Sequence, residues 1–513
     1  MLRFSVFSDG SAADKVDFSG AYLVGSDGVP LRAEIELHDG HVVCRKRAAG
    51  PAALALLWPV GPSGKILLET TRLQEREKPY ILPVELLRGR LMRIAQKREE
   101  WGLLDYDFTE LQNRQVEACR DALIEALKTD DPVRAAATAQ NGLEQSVVVA
   151  EELALDNAAN LLNRRRQLGG FTRRVFGCGV EPQPPSEPAF KKLAATFDFA
   201  VLPLPWKVVE PREHELNWRP FDTCVEWLAK NRVPIKGSGL VCFNEEWIPD
   251  WLYIWEHDFE AIRDLTYEHL RRVINRYSNF IQVWDVISGI HAASCFSFNF
   301  EQLMELTRMS AAIARQLAPQ ATLIIDLVAP WGEYYARNQR TIPPLLYADM
   351  VVQSGISFDA FGLHVYFGMG VDGMYVRDLF QVSAMLERFA TLGKPLHITA
   401  VQVPSANAGE PNDAWKGQMS PVGGGVWHRA WDEATQADWL SGFYEIALSK
   451  PFVDTVTWRD LSDQGPHYLP GGGLLRMDLT AKPAFERLCA LRNSIARGPG
   501  AASKRQRKSP LSR

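Results

Sequence analysis

Over residues 1 to about 100, apolar positions either alternate with polar ones or gather in short runs. These are Gly20 to Val24, Ala33 to Leu37, His41 to Arg45, Ala53 to Trp58 and Lys65 to Glu69. Ser26-Asp27-Gly28, Asp39-Gly40 and Gly61-Pro62-Ser63-Gly64 separate them, the residue types that tight turns demand. A period of two predicts strands, and Asp39-Gly40 between two such runs predicts a two-residue hairpin turn. Residues 1–105 are therefore expected to form a β-rich, antiparallel module of sandwich type. From Pro83 the period lengthens to that of a helix (Leu86, Leu87, Leu91, Ile94) and reaches Trp101. A second helical stripe, Leu111 to Leu127, ends near Thr129-Asp130-Asp131-Pro132. A third helix is expected from Pro132 to Arg166, interrupted near Gly142. Residues 106–148 read as linking helices, and Arg164-Arg165-Arg166 as a solvated helix end.

Beyond this the pattern alternates apolar strands with amphipathic helices. The expected strands are Val175 to Gly179, Phe199 to Leu202, Pro234 to Phe243, Phe280 to Ile287, Ala321 to Val328, Ala360 to Val365, Leu396 to Val401 and Asp454 to Trp458. Strands apolar on both faces belong in a parallel sheet covered by helices. Eight β/α units predict an α/β protein whose residues 149–495 form a (β/α)8 TIM barrel. An open doubly wound sheet would want a GxGxxG phosphate loop after its first strand, and GCGVEPQPP lacks that spacing. The last segment, 496–513, is Gly-, Pro-, Ser- and Lys/Arg-rich and is expected to be a disordered basic tail.

Composition changes this picture little. Hydrophobic residues make up 46% and charged residues 23% of 513 residues, ordinary for a globular chain. A net charge of −5 gives no reason to expect nucleic acid or a membrane surface as partner. The amino terminus lacks the apolar core and cleavage site of a signal peptide. Seven cysteines stand singly, with no CxxC pair, so neither a disulfide framework nor a zinc site is suggested. A cytoplasmic location is expected.

The motifs carry more. RYSNFIQVWDVISGIH (276 to 291) resembles the fourth-strand signature RYxGxxxxWDVVNE of the family-ten glycoside hydrolases, the xylanase family. FDFAVLPLPWKVVEP (197 to 211) is similar to that family's second-strand segment, keeping Trp206, Glu210 and Pro211. VPIKGSGLVCFNEEWIPDW (233 to 251) resembles its third-strand motif, with Gly237, Leu240, Val241, Pro249 and Trp251 matching. FDAFGLHVY (358 to 366) is similar to the sixth-strand IDGIGLQxH, and LGKPLHITAVQVP (392 to 404) to LGLPVHITELDVP. TWRDLSD (457 to 463) resembles WGxxD loosely, with Arg459 in place of the glycine.

This resemblance implies a barrel that hydrolyses β-linked polysaccharide with two glutamates. The acid/base position falls on Gly289 and the nucleophile position on Ala400. The family's sugar-binding Glu-Asn falls on Val201 and Leu202, its lysine on Pro205, its histidines on Ser238 and Phe243, and one tryptophan on Cys242. Retaining hydrolysis needs two carboxyl groups about 5–5.5 Å apart, which glycine and alanine cannot supply. Glu245, Ser288, His291, Asp326, His364, Tyr366, Gln402 and Trp458 are the candidate pocket-lining residues. Glu245, His291, Asp326 and His364 are expected to approach one another at the barrel mouth. The histidines lack HxH or HxxxH spacing, so no metal is expected, and no cofactor motif is present. Three readings stay open: a catalytically silent relative that binds carbohydrate or serves in assembly, an active hydrolase with relocated carboxylates, and a protein-interaction scaffold. The amino-terminal module is a candidate surface for a protein partner.

Overall fold

The computed structural model describes residues 1–496 other than 9, 104–109, 172–173, 182–186 and 294. The eight expected barrel strands all form, and each pairs in parallel with the next. They are Phe176–Gly179, Phe199–Pro203, Ile235–Ser238, Ile281–Ser288, Thr322–Leu327, Ala360–Tyr366, Leu396–Gln402 and Val453–Trp458. The eighth closes on the first through Phe176↔Val456, Gly177↔Thr457 and Cys178↔Trp458. The third strand is shorter than the expected Pro234 to Phe243. It ends at Ser238 because Gly239 turns the chain at φ +66°, with the Trp247 ring 2.1 Å from where a Cβ would stand. Only glycine tolerates both the left-handed backbone and that approach.

The barrel interior is unusually polar for a fold normally filled with branched aliphatic side chains. Lys236 on the third strand forms an ion pair with Asp285 on the fourth at 2.9 Å, and both are almost wholly buried. Burial pushes the Asp285 carboxyl up to about 7, Lys236 opposing and Asp326 adding to the rise. Trp284, next in sequence, points outward and packs over Gly237, where a Cβ would lie 2.6 Å from the indole.

The amino-terminal β-rich module is present as two sheets. One orders its strands Tyr80–Ile81, Leu2–Ser5, His41–Lys46, Ala33–His38. The Ala33–His38 and His41–Lys46 strands meet at the expected Asp39-Gly40 turn, whose two φ angles are +48° and +72°. Both positive values mark the hairpin turn that matches strand twist. The module is not all antiparallel, since Leu2–Ser5 pairs in parallel with Tyr80–Ile81. The second sheet orders Val426–Trp427, Gly64–Glu69, Ala53–Pro59, Tyr22–Val24, Pro30–Leu31. Its edge strand Val426–Trp427 comes from the loop after the seventh barrel strand and pairs antiparallel with Lys65 and Gly64. Ala53, Ala55 and Leu57 on this sheet pack against Ala336 and Tyr375 of barrel loops, while Leu54 and Leu56 on the other face join the main core.

The helices are Leu82–Glu100, Glu110–Lys128 and Pro132–Gln167. The third runs unbroken through Gly142, contrary to the expected interruption. Gly142 lets Ala122 and Leu87 of the neighbouring helices approach to 2.8 and 2.9 Å of its would-be Cβ, so its smallness serves packing. The same helix crosses the expected 148/149 boundary. Buried polar contacts join these elements to the barrel: Arg90 pairs with Asp378, His428 with Glu151 at 2.6 Å, and Arg377, itself paired with Glu333, donates to the Tyr22 hydroxyl at 3.4 Å. Arg165 corrects the reading of a solvated basic end. Its guanidinium donates to the carbonyls of Leu448, Lys450 and Val453, satisfying acceptors at the end of the helix Glu433–Ser449. The basic tail expected from 496 onward falls, after Ala496, outside the described residues.

Candidate functional site at the barrel mouth

The carboxyl ends of parallel barrel strands are where this fold presents chemistry. Ser288 closes the fourth strand, and Gly289 follows it at φ +63°. The Gly289 N–H donates to the Asp326 carbonyl at 3.0 Å, and the Val328 methyls lie 3.1 Å from where its Cβ would be. Ala400 stands opposite His364 across the sixth and seventh strands. It is buried in a cluster with Tyr366, Met369, Met374 and Leu469, against which Trp415 and Tyr468 pack. Gly289 sits just past the end of its strand and Ala400 two residues short of the end of its own.

Asp326 is the acid that the fold brings to the centre. His364 Nε2 lies 2.7 Å from its Oδ2, Thr399 donates to Oδ1 at 2.5 Å, and Ser288 donates to Oδ2 at 3.3 Å. Gly362 on the neighbouring strand leaves room for the carboxylate, since a Cβ there would come within 1.8 Å of Oδ1. Burial pushes the Asp326 carboxyl up, but His364, Lys236 and Thr399 together outweigh it and hold the group below the usual range. An acid so held is an acceptor and counter-charge, not a proton donor at neutral pH.

His291 and Glu245 do not join this group in the way expected. His291 is fully buried with both ring nitrogens occupied: Nε2 accepts from the Val328 N–H at 3.2 Å, and Nδ1 faces the Tyr334 hydroxyl at 2.6 Å. Because that hydroxyl donates to the Ile342 carbonyl, Nδ1 carries the proton. Burial pushes the His291 pKa down to about 3, so it is a neutral structural brace. Glu245 is exposed on the loop after the third strand, where Lys207 Nζ reaches its backbone carbonyl at 3.5 Å. Trp458 and Gln402 are fully buried rather than pocket-lining. Trp458 Nε1 donates to the Gly472 carbonyl at 3.0 Å, and Gln402 Nε2 to Asp460 at 2.9 Å. Among the described residues, no group of three or more His, Cys, Asp or Glu is placed to hold a metal ion.

The mouth is shaped instead by Arg459. Its guanidinium lies 4.1 Å from the centre of the Tyr468 ring and donates to the Tyr366 hydroxyl at 3.1 Å. Tyr366 and Tyr468 pack with ring centroids 4.8 Å apart, and Trp415 lies 5.3 Å from Tyr468. Phe243 is likewise absorbed, packing edge-on against Phe296 and Phe298 at 5.5 and 5.2 Å.

Sequence reasoning passed over Glu181, just beyond the first strand. Burial pushes its carboxyl up to about 7, and the charge of Asp460 adds to the rise. No motif marks it, but a carboxylate immediately after a barrel strand is itself a signal.

The family model described as "Glycosyl hydrolase family 10" matches residues 201–488, more than half of the chain. Endo-1,4-beta-xylanase B of Thermotoga neapolitana is 23% identical over 269 residues, covering 50% of this chain and 68% of that protein. A beta-1,4-xylanase of Dictyoglomus thermophilum is 30% identical over 83 residues, covering 16% of this chain and 22% of its own length. Native xylanase 10B from Thermotoga maritima superimposes with a TM-score of 0.48 at 18% identity, covering 67% of this chain and 99% of that one. The chain belongs to glycosyl hydrolase family 10.

Proposed function

We propose that this barrel binds carbohydrate, or serves in an assembly, without retaining hydrolysis. The observation that carries the reading is the chemistry near the two strand ends. Gly289 and Ala400 occupy the positions that the family resemblance gives to the acid/base and the nucleophile, and neither can transfer a proton or attack an anomeric carbon. The buried acids nearby are engaged, Asp326 with His364 and Asp285 with Lys236. The aromatic surface left for a sugar is that of Trp415 and Tyr468, both half-buried, over the buried Tyr366. The test is long incubation of the purified protein with xylan and aryl β-xylosides, alongside calorimetry with xylo-, cello- and manno-oligosaccharides. Binding without turnover is expected. Turnover would overturn the reading, and a flat calorimetric response would favour a protein-interaction scaffold.

A second reading, an active hydrolase with relocated carboxylates, is favoured by Glu181. A carboxyl titrating near 7 is what a general acid needs, and its partner Asp460 remains beside it at the mouth. If turnover is seen, Glu181→Gln is expected to abolish it while leaving the midpoint of thermal unfolding in place.

A further inference from the structure

The opposite end of the barrel holds a cavity that this reading of the mouth does not use. It measures about 300 Å³, at the lower end of small-molecule sites. It lies between the amino ends of the strands, bounded by Phe199, Phe280, Val283, His397, Lys236 and Arg232. Barrel floors are ordinarily plugged by packed aliphatic layers. Here the floor presents polar groups. Lys236 is among the lining residues, 2% exposed, with its ammonium turned to Asp285 at 2.9 Å. His397 Nδ1 is bonded to Thr455 Oγ1 at 2.8 Å, while Nε2 has only Asp454 at 3.9 Å, beyond hydrogen-bond reach. At the rim, Arg232 sits in the left-handed region at φ +57°, just past the end of the helix Arg219–Lys230, where glycine is the usual choice.

The geometry points to a binding site for a small aromatic carboxylate in this cavity, independent of what the mouth does. The carboxylate would meet the Arg232 guanidinium at the rim, the ring would lie between Phe199, Phe280 and Val283, and a hydroxyl at the far end would reach His397 Nε2. Arg174 and Arg232 both line the cavity, so its attraction for an anion comes from these two guanidinium groups. A polar but uncharged tip suits the interior.

The experiment is isothermal titration of the full chain with 4-hydroxybenzoate, benzoate and benzyl alcohol. Saturable binding of 4-hydroxybenzoate is expected, with benzoate weaker and benzyl alcohol weakest. Arg232→Gly removes the guanidinium and relieves the backbone, so it is expected to fold at least as well and to weaken binding tenfold or more. Gln282→Trp, at an exposed lining position, is expected to block entry and abolish binding. Absence of saturable binding at millimolar 4-hydroxybenzoate would overturn the assignment. So would binding that both variants leave unchanged, or benzyl alcohol binding as tightly as the acids.

Discussion

Arg459 lies across the Tyr468 ring at 4.1 Å, in a position where the family resemblance expects a glycine. The stack closes the mouth from the side of the eighth strand, and the bond to Tyr366 ties it to the sixth. Arg459→Gly is therefore expected to lower stability by about 1–2 kcal/mol, through loss of a cation–π contact and one hydrogen bond. It is also expected to raise affinity for xylohexaose in calorimetry. Unchanged or weaker binding would show that the arginine does not close the mouth.

Putting the two glutamates back is not expected to restore an enzyme. At Gly289 the left-handed backbone and the Val328 methyls oppose any side chain. At Ala400 a carboxylate would enter an apolar cluster. The double variant Gly289→Glu/Ala400→Glu is expected to lose about 2–5 kcal/mol in urea unfolding. It is also expected to remain inactive on aryl β-xylosides, and measurable turnover would contradict this account of the mouth.

The Glu151–His428 pair makes stability depend on pH. Burial works against both charges, yet the contact at 2.6 Å, with Trp427 and Leu379 also donating to Glu151, holds Glu151 below and His428 above their ordinary values. A lowered carboxyl contributes stability above its unfolded pKa and loses it as pH falls through the folded one. A raised histidine contributes below its unfolded pKa and loses it as pH rises through the folded one. The pair thus contributes fully between about 4.5 and 6.5, the ordinary values. Glu151→Gln is expected to cost about 3 kcal/mol at pH 6 and clearly less at pH 9, read from urea midpoints. An equal cost at both pH values would rule out the ionic contribution.

Lys236 and Asp285 form an almost wholly buried ion pair, where desolvation competes with attraction. Removing one partner by Asp285→Leu is expected to cost about 3–5 kcal/mol, whereas Lys236→Met/Asp285→Leu together should be neutral or stabilising. The raised Asp285 pKa adds a sign. The native state keeps its proton up to about 7 while the unfolded state releases it near 3.8, so this group's contribution declines as pH climbs between those values. Thermal midpoints of wild type and double variant across that range check both statements.

Much of the scaffold was legible because period and turn chemistry are local. The eight barrel runs and the Asp39-Gly40 hairpin needed no knowledge of distant residues. Where reading failed, a distant partner had decided. Gly142 looked like a helix breaker until the helices beside it required a close approach. Arg165 looked solvated, yet it serves carbonyls nearly three hundred residues away. His291 reads from the sequence as pocket-lining, but Val328 and Tyr334 from the next loop occupy it. The Arg459–Tyr366–Tyr468 stack joins loops of the sixth and eighth strands, a meeting that no single stretch of sequence displays. Glu181 draws its character from burial beneath the eighth-strand loop rather than from its neighbours in the chain.

The strand Val426–Trp427 has a practical consequence. Because it leaves the barrel to finish a sheet begun near the amino terminus, trimming the chain to the segment that matches its relatives would strip that strand of its template. It would also remove Glu151, the acceptor for the Trp427 indole, leaving a bare ribbon edge and an unmatched imidazole on the cut piece. Such a fragment should aggregate, and the two halves are better regarded as one inseparable folding unit.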